Sequence, residues 1–148
     1  MAVFLDTGYI LALVNTADDY HEPAERLALK TEDLFVTTEA VLTEIGNALA
    51  KLRWRSLAVS TLEDVRSDPD TEVVSVSKEL FDRAVILYSS RMDKEWGLTD
   101  CISFSVTQDC GLISALTADD HFRQAGFRAL LLEETSSANS PESRNRST

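Results

Sequence analysis

Four carboxylates in the 148-residue chain have the type and placement to do chemistry: Asp6, Glu44, Asp100 and Asp119. Each falls where a predicted strand or helix turns at one edge of an α/β layer. Their neighbours are apolar, and a lone carboxylate there would be costly to desolvate. Brought together, the four make an oxygen-rich pocket suited to a partly hydrated divalent cation, Mg2+ or Mn2+. Without a cation, mutual repulsion would raise their pKa values. A cation held this way activates water and stabilises the oxyanions of an in-line phosphoryl displacement. The chemistry expected is therefore metal-assisted hydrolysis at phosphate. In this reading Asp6 and Asp100 touch the metal, while Glu44 and Asp119 hold it through waters or position the attacking water. Thr99, Ser103 and Asn47 are candidates for hydrogen bonds to waters or phosphate oxygens.

Each assignment competes with a plainer one. Asp6 and Asp100 suit turn and cap positions, although helix-dipole capping is worth only about 0.3–1 kcal/mol. Glu44 suits a solvated helix edge. Asp119 and Asp120 compete for the fourth place, one serving the site and the other capping a helix, and Asp119 is preferred. His21 and His121 lie far apart with no third ligand beside either, so both read as surface or packing residues and zinc is not expected. Cys101 and Cys110 would lie on opposite faces of one helix and read as small buried hydrophobes. Lys51, Arg53, Trp54 and Arg55 form a basic, aromatic-bearing cluster. It suits either a solvated helix end with Trp54 in the core or an RNA backbone contact.

The elements that must position these residues alternate between strand and helix. Val3 to Leu5 reads as a strand turning at Asp6, followed by a helix from Tyr9 to about Val14. A second helix opens near Pro23, with Glu22 and Arg26 spaced to pair. Leu34 to Val36 is a strand. Thr37 and Thr38 cap a helix whose apolar face runs from Val41 through Leu42, Ile45, Ala48 and Leu49 to Leu52, with Glu44 at its border. A helix from Trp54 to Val65 stops at Asp68-Pro69-Asp70. Glu72 to Val76 is a strand, and Leu80 to Tyr88 a helix. Thr99 is the expected N-cap of the helix carrying Asp100. Leu112 to Leu116 is a strand, Ala118 to Gln124 a short helix, and Phe127 to Leu132 a last strand. Residues 1–134 read as one domain. The Ser-, Asn- and Arg-rich stretch 135–148 reads as a disordered polar tail.

Alternation of this kind implies a parallel sheet covered on both faces, with sites beyond the carboxyl ends of its strands. All four acids then converge by topology. A net charge of −11 argues against tight non-specific nucleic-acid binding, but bound cations reverse the charge locally. A nuclease acting on a few nucleotides is compatible with it. No stretch is long and apolar enough to span a bilayer, and no cationic leader precedes Asp6, so no membrane association and a cytoplasmic location are expected.

The segments FLDTGYILAL, TTEAVLTEIGNAL, GLTDCISF and ALTADDHFRQAGF, in that order and spacing, resemble the PIN-domain nucleases, and most of all the VapC-type toxins of toxin–antitoxin pairs. The resemblance runs from Met1 to about Leu132. It implies a three-layer α/β/α sandwich with a mainly parallel five-stranded sheet of order 3-2-1-4-5. It also implies a magnesium-dependent endoribonuclease, a homodimer, and a small antitoxin that covers the acidic pocket. The family's acids map onto Asp6, Glu44, Asp100 and Asp119, and its polar helper onto Ser103. Asp120 departs from the pattern, standing where such proteins often carry a basic residue. Alternatives are a catalytically silent PIN-like interaction module and a DNA or flap-type nuclease. A phospho-acceptor receiver domain needs an Asp after its central strand and a later Lys, which Val73 to Val76 and Ile113 to Leu116 do not supply.

Overall fold

The computed structural model describes residues 1–138. In chain order the elements are β1 (Ala2–Leu5), α1 (Thr7–Val14), α2 (His21–Lys30), β2 (Leu34–Thr38), α3 (Glu39–Ala48), α4 (Leu52–Ser67) and β3 (Thr71–Val74). They continue with α5 (Lys78–Ser90), α6 (Leu98–Asp109), β4 (Ser114–Leu116), α7 (Asp120–Gln124), β5 (Arg128–Ala129) and α8 (Leu130–Ala138). The five strands form one sheet of order β3-β2-β1-β4-β5. Every pairing is parallel, so every strand ends on the same rim.

Parallel strands need helical crossovers, and right-handed crossovers reverse face where the strand order reverses. The chain moves outward from β1 to β3, then returns to the other side of β1 for β4 and β5. The switch point therefore lies between β1 and β4, where Phe4 pairs with Ala115 and Leu5 with Leu116. Both of these strands are buried, as expected for a sheet covered on two faces. Helix α3 packs against α1 and also α6, so it reaches elements from both sides of the rim.

An aromatic cluster fixes α7 against α6. Phe104 and Phe122 meet edge to face with centroids 4.9 Å apart, and Trp96 meets Phe104 in the same way at 5.0 Å. Trp96 Nε1 donates to Gln124 Oε1 at 3.0 Å, so the indole N–H is also satisfied. Phe122 and Phe104 are both buried. Burying an aromatic pair of this size is worth several kcal/mol, roughly 1.5–3 per side chain.

The structure alters several sequence expectations. The helix expected to run to Leu52 stops at Ala48; Leu52 opens α4 and is 89% exposed. No Gly or Pro marks that break, so the apolar period carries across it. Leu130 to Leu132 are helical rather than strand. Such a short apolar run fits either state, and here Leu131 packs into the core while Glu134 binds Arg26 and Lys30 on α2. Arg26 is thereby taken by Glu134 instead of Glu22. Residues 135–138 complete α8, and residues 139–148 of the expected tail lie outside the described residues. Cys101 is buried as expected, but Cys110 is exposed, because it sits at the C-cap of α6. Trp54 is 42% exposed, with Arg53 over its ring, so it is not a core residue. Among the described residues, no helix is long and apolar enough to cross a membrane.

Candidate active site

The four acids arrive at one pocket from four separate stretches of chain. Asp6 is the N-cap of α1, immediately beyond β1, held in extended conformation. Glu44 comes from the middle of α3, which Thr38 starts by accepting the Val41 N–H at 3.2 Å. Asp100 lies in the first turn of α6, and Asp119 is the N-cap of α7, just beyond β4. Together with Thr7, Gly8, Asp18, Tyr20, Thr117, Ala118 and His121 they line a pocket of about 430 Å3.

A protein donor orients each carboxylate. Thr117 Oγ1 donates to Asp6 Oδ2 at 2.7 Å, and Thr7 Oγ1 donates to Glu44 Oε1 at 2.7 Å. Asp100 Oδ2 accepts the Gly97 N–H at 3.1 Å, and Asp119 Oδ1 accepts the His121 N–H at 2.9 Å. The Gly97 contact replaces the expected Thr99 cap: Gly97 is the N-cap, and Asp100 reaches back to it. Asp119 both lines the pocket and caps α7. Asp120 is exposed and faces Arg123 and Gln124 on its own helix.

Asp6 carries the electrostatic load. It is 7% exposed, and its carboxyl is pushed up from 3.8 to about 6. Burial is the largest cause. Hydrogen bonds from Thr117 and the Thr7 backbone oppose it, and the charges of Asp100 and Asp119 add to it. Among the described residues, no Lys or Arg lines the pocket to offset that charge. The donor set therefore fits a divalent cation, which would supply the missing positive charge and meet several carboxylate oxygens.

His121 was expected at the surface or in packing, and it stands in the site instead. Its Nδ1 lies 3.0 Å from Asp100 Oδ2 and 3.3 Å from Asp119 Oδ1. The Phe104–Phe122 contact places the first turn of α7 beside the first turn of α6, and His121 precedes Phe122. His21 is a packing residue, with Nδ1 2.7 Å from the Ala12 carbonyl oxygen and Nε2 3.1 Å from Glu25. Thr7 and Thr117 were also missed. The available signal was an acid with a hydroxyl one or two places away at the end of a strand, in Asp6-Thr7 and Thr117-Ala118-Asp119.

The expected helper residues lie elsewhere. Thr99 is half-buried and does not line the pocket. Asn47 lines a different cleft, between α3, α4 and β3, because it projects one turn beyond Glu44 and away from the rim. Ser103 is fully buried in α6, one turn after Asp100, and its Oγ has no hydrogen-bond partner among the described residues. Lys51, Arg53 and Arg55 are exposed at the α3–α4 junction, outside the pocket. Arg55 is partly occupied, donating from Nη2 to the Ala50 carbonyl at 2.7 Å.

The sequence and the fold have parallels among known proteins. The chain is 28% identical over 125 residues to the 23S rRNA-specific endonuclease VapC20 of Mycobacterium tuberculosis, covering 84% of this chain and 95% of that protein. The crystal structure of VapC20, a sarcin-ricin loop cleaving toxin, superimposes with a TM-score of 0.79 at 27% identity, over 84% of this chain and 95% of that one. The same fold recurs in VapBC2 from Rickettsia felis bound to a promoter DNA fragment, with a TM-score of 0.63 at 17% identity over 87% and 97% of the two chains. It recurs also in FitAcB from Neisseria gonorrhoeae, with a TM-score of 0.64 at 16% identity over 87% and 96%. The PIN domain family matches residues 3–128, nearly the whole described chain, and the protein belongs to that family.

Proposed function

We propose that this protein is a metal-dependent endoribonuclease that hydrolyses RNA phosphodiester bonds and serves as the toxin of a toxin–antitoxin pair. The observation that carries the reading is the convergence of Asp6, Glu44, Asp100 and Asp119 on one pocket, with the Asp6 carboxyl pushed up by its burial and, to a smaller extent, by the charges of Asp100 and Asp119. The relative VapC20 acts on 23S rRNA, which supports RNA as the substrate class.

A bound Mg2+ or Mn2+ would lower the pKa of water and stabilise charge on the phosphate. The protein's own part is to hold and orient. Asp6 and Asp100 would bind the ion directly, their oxygens aimed by Thr117 and by Gly97. Glu44, aimed by Thr7, would accept a hydrogen bond from the attacking water and fix its approach. Asp119 would hold the hydrated side of the ion. Lys51, Arg53 and Arg55 would meet RNA phosphates beyond the pocket, where charge of the opposite sign is needed to offset the net −11.

The antitoxin is proposed to cover the acidic pocket, and the protein to act as a homodimer. An apolar stripe on α5 gives such a dimer a surface: Phe81, Val85 and Tyr88 are 43%, 37% and 51% exposed at helical spacing. Incubation with total RNA tests the activity. Discrete cuts should form in magnesium and vanish with a chelator. Intact RNA under both conditions contradicts the proposal.

A further inference from the structure

We infer that His121 Nδ1 is a ligand of the cation, so that the centre is a mixed nitrogen–oxygen site favouring Mn2+ over Mg2+. The inference rests on the metal-dependent reading above and assigns one of that site's ligands.

The geometry is that of a shared centre. Nδ1 stands 3.0 Å from Asp100 Oδ2 and 3.3 Å from Asp119 Oδ1. Ligand atoms of Asp100, Asp119 and His121 all lie within 4.8 Å of one another. One ring nitrogen carries at most one proton, directed along a single line, so it cannot make two straight hydrogen bonds to two carboxylates. Adjacent ligand atoms in an octahedral shell with bonds of about 2.1 Å stand about 3 Å apart. The 3.0 Å between Nδ1 and Asp100 Oδ2 matches such an edge, and the 3.3 Å to Asp119 Oδ1 sets that carboxylate beside it, where a water on the ion would be held.

The surroundings hold these atoms in place. Asp100 Oδ2 is tethered by the Gly97 N–H and Asp119 Oδ1 by the N–H of His121 itself. The Phe104–Phe122 contact sets the spacing between the two helix ends. His121 Nε2 makes no hydrogen bond with a described residue, so it can carry the ring proton and leave Nδ1 as a lone-pair donor. The side chain is 29% exposed, which gives an ion a way in. Of the two ions this site is suited to, Mn2+ accepts an imidazole nitrogen more readily, because Mg2+ demands oxygen ligands and gives up its waters reluctantly.

Pulsed EPR of the full-length protein loaded with Mn2+ tests this. The chain has two histidines, and His21 is committed to Ala12 and Glu25. Growth on 15N-histidine should replace a 14N coupling to Mn2+ with a 15N coupling. His121→Ala should abolish the coupling and weaken Mn2+ binding by at least about the 10-fold that loss of an outer-shell partner costs, with a much smaller change for Mg2+. Should that variant not fold, the spectra of the labelled and unlabelled parent decide alone. Mn2+ bound without histidine coupling, or an equal loss for both ions, overturns the assignment and leaves the carboxylate centre standing. Absence of Mn2+ binding overturns both the assignment and the metal-dependent reading.

Discussion

The Thr117 hydroxyl donates to Asp6 Oδ2 at 2.7 Å across 111 positions of sequence, and the same oxygen accepts the Asp119 N–H at 3.0 Å. One fully buried side chain thus aims the acid beyond β1 and fixes the turn carrying the acid beyond β4. The tie depends on the register that sets Leu5 beside Leu116. Thr117→Val keeps the shape but leaves a buried carboxylate and a backbone N–H each short of a partner. Urea unfolding at pH 7.5 should show a loss of about 1–3 kcal/mol. The loss should shrink at pH 4.5, where Asp6 is already neutral.

Asp6 itself sets a pH dependence. Its carboxyl titrates at about 6 in the fold against an ordinary 3.8. Between those pH values the folded state holds more protons than the unfolded chain, so its contribution to stability falls as pH rises. The penalty is absent below about pH 3.8 and complete above about pH 6, where it reaches about 3 kcal/mol. Asp6→Asn should therefore melt higher than the parent at pH 7.5 in chelator, and the advantage should vanish by pH 4. Added Mn2+ should raise the parent's melting temperature at pH 7.5 and leave the variant unchanged. A parent stabilised by chelator-treated alkaline buffer would contradict the origin of the shift.

Ser103 offers a separation of stability from activity. Its hydroxyl is buried without a partner, one turn beyond Asp100. Ser103→Ala removes an unsatisfied polar group, so thermal unfolding should show no loss and a gain of up to about 1 kcal/mol. If the hydroxyl steadies Asp100 or a water beside it, RNA cleavage should fall even as stability rises. Unchanged cleavage with raised stability would leave Ser103 as a packing residue.

The sheet and the rim were legible in the sequence because Asp6, Asp100 and Asp119 follow or open periodic apolar segments, while Glu44 lies within one at the border of its apolar face. Asp6 beyond Val3–Leu5 and Asp119 beyond Leu112–Leu116 needed only the parallel topology to meet. What was not legible depended on tertiary contact. His121 enters the site because the Phe104–Phe122 pair turns α7 toward α6, and no local spacing records that contact. Asn47 lies on Glu44's side of α3 in a helical wheel, yet one turn of rise carries it into another cleft. Leu130 to Leu132 took helix over strand because Glu134 found Arg26 and Lys30 across the fold.

The central claim is that one cation is shared by carboxylates from remote parts of the chain. Anomalous diffraction from crystals grown with Mn2+ measures it directly. A peak is expected in the pocket within about 2.0–2.3 Å of oxygens from both Asp6 and Asp100. That peak should be lost in Asp100→Ala together with RNA cleavage. Active protein whose Mn2+ peak lies away from these acids, or an Asp100→Ala variant that cleaves RNA at the parent's rate, would contradict it.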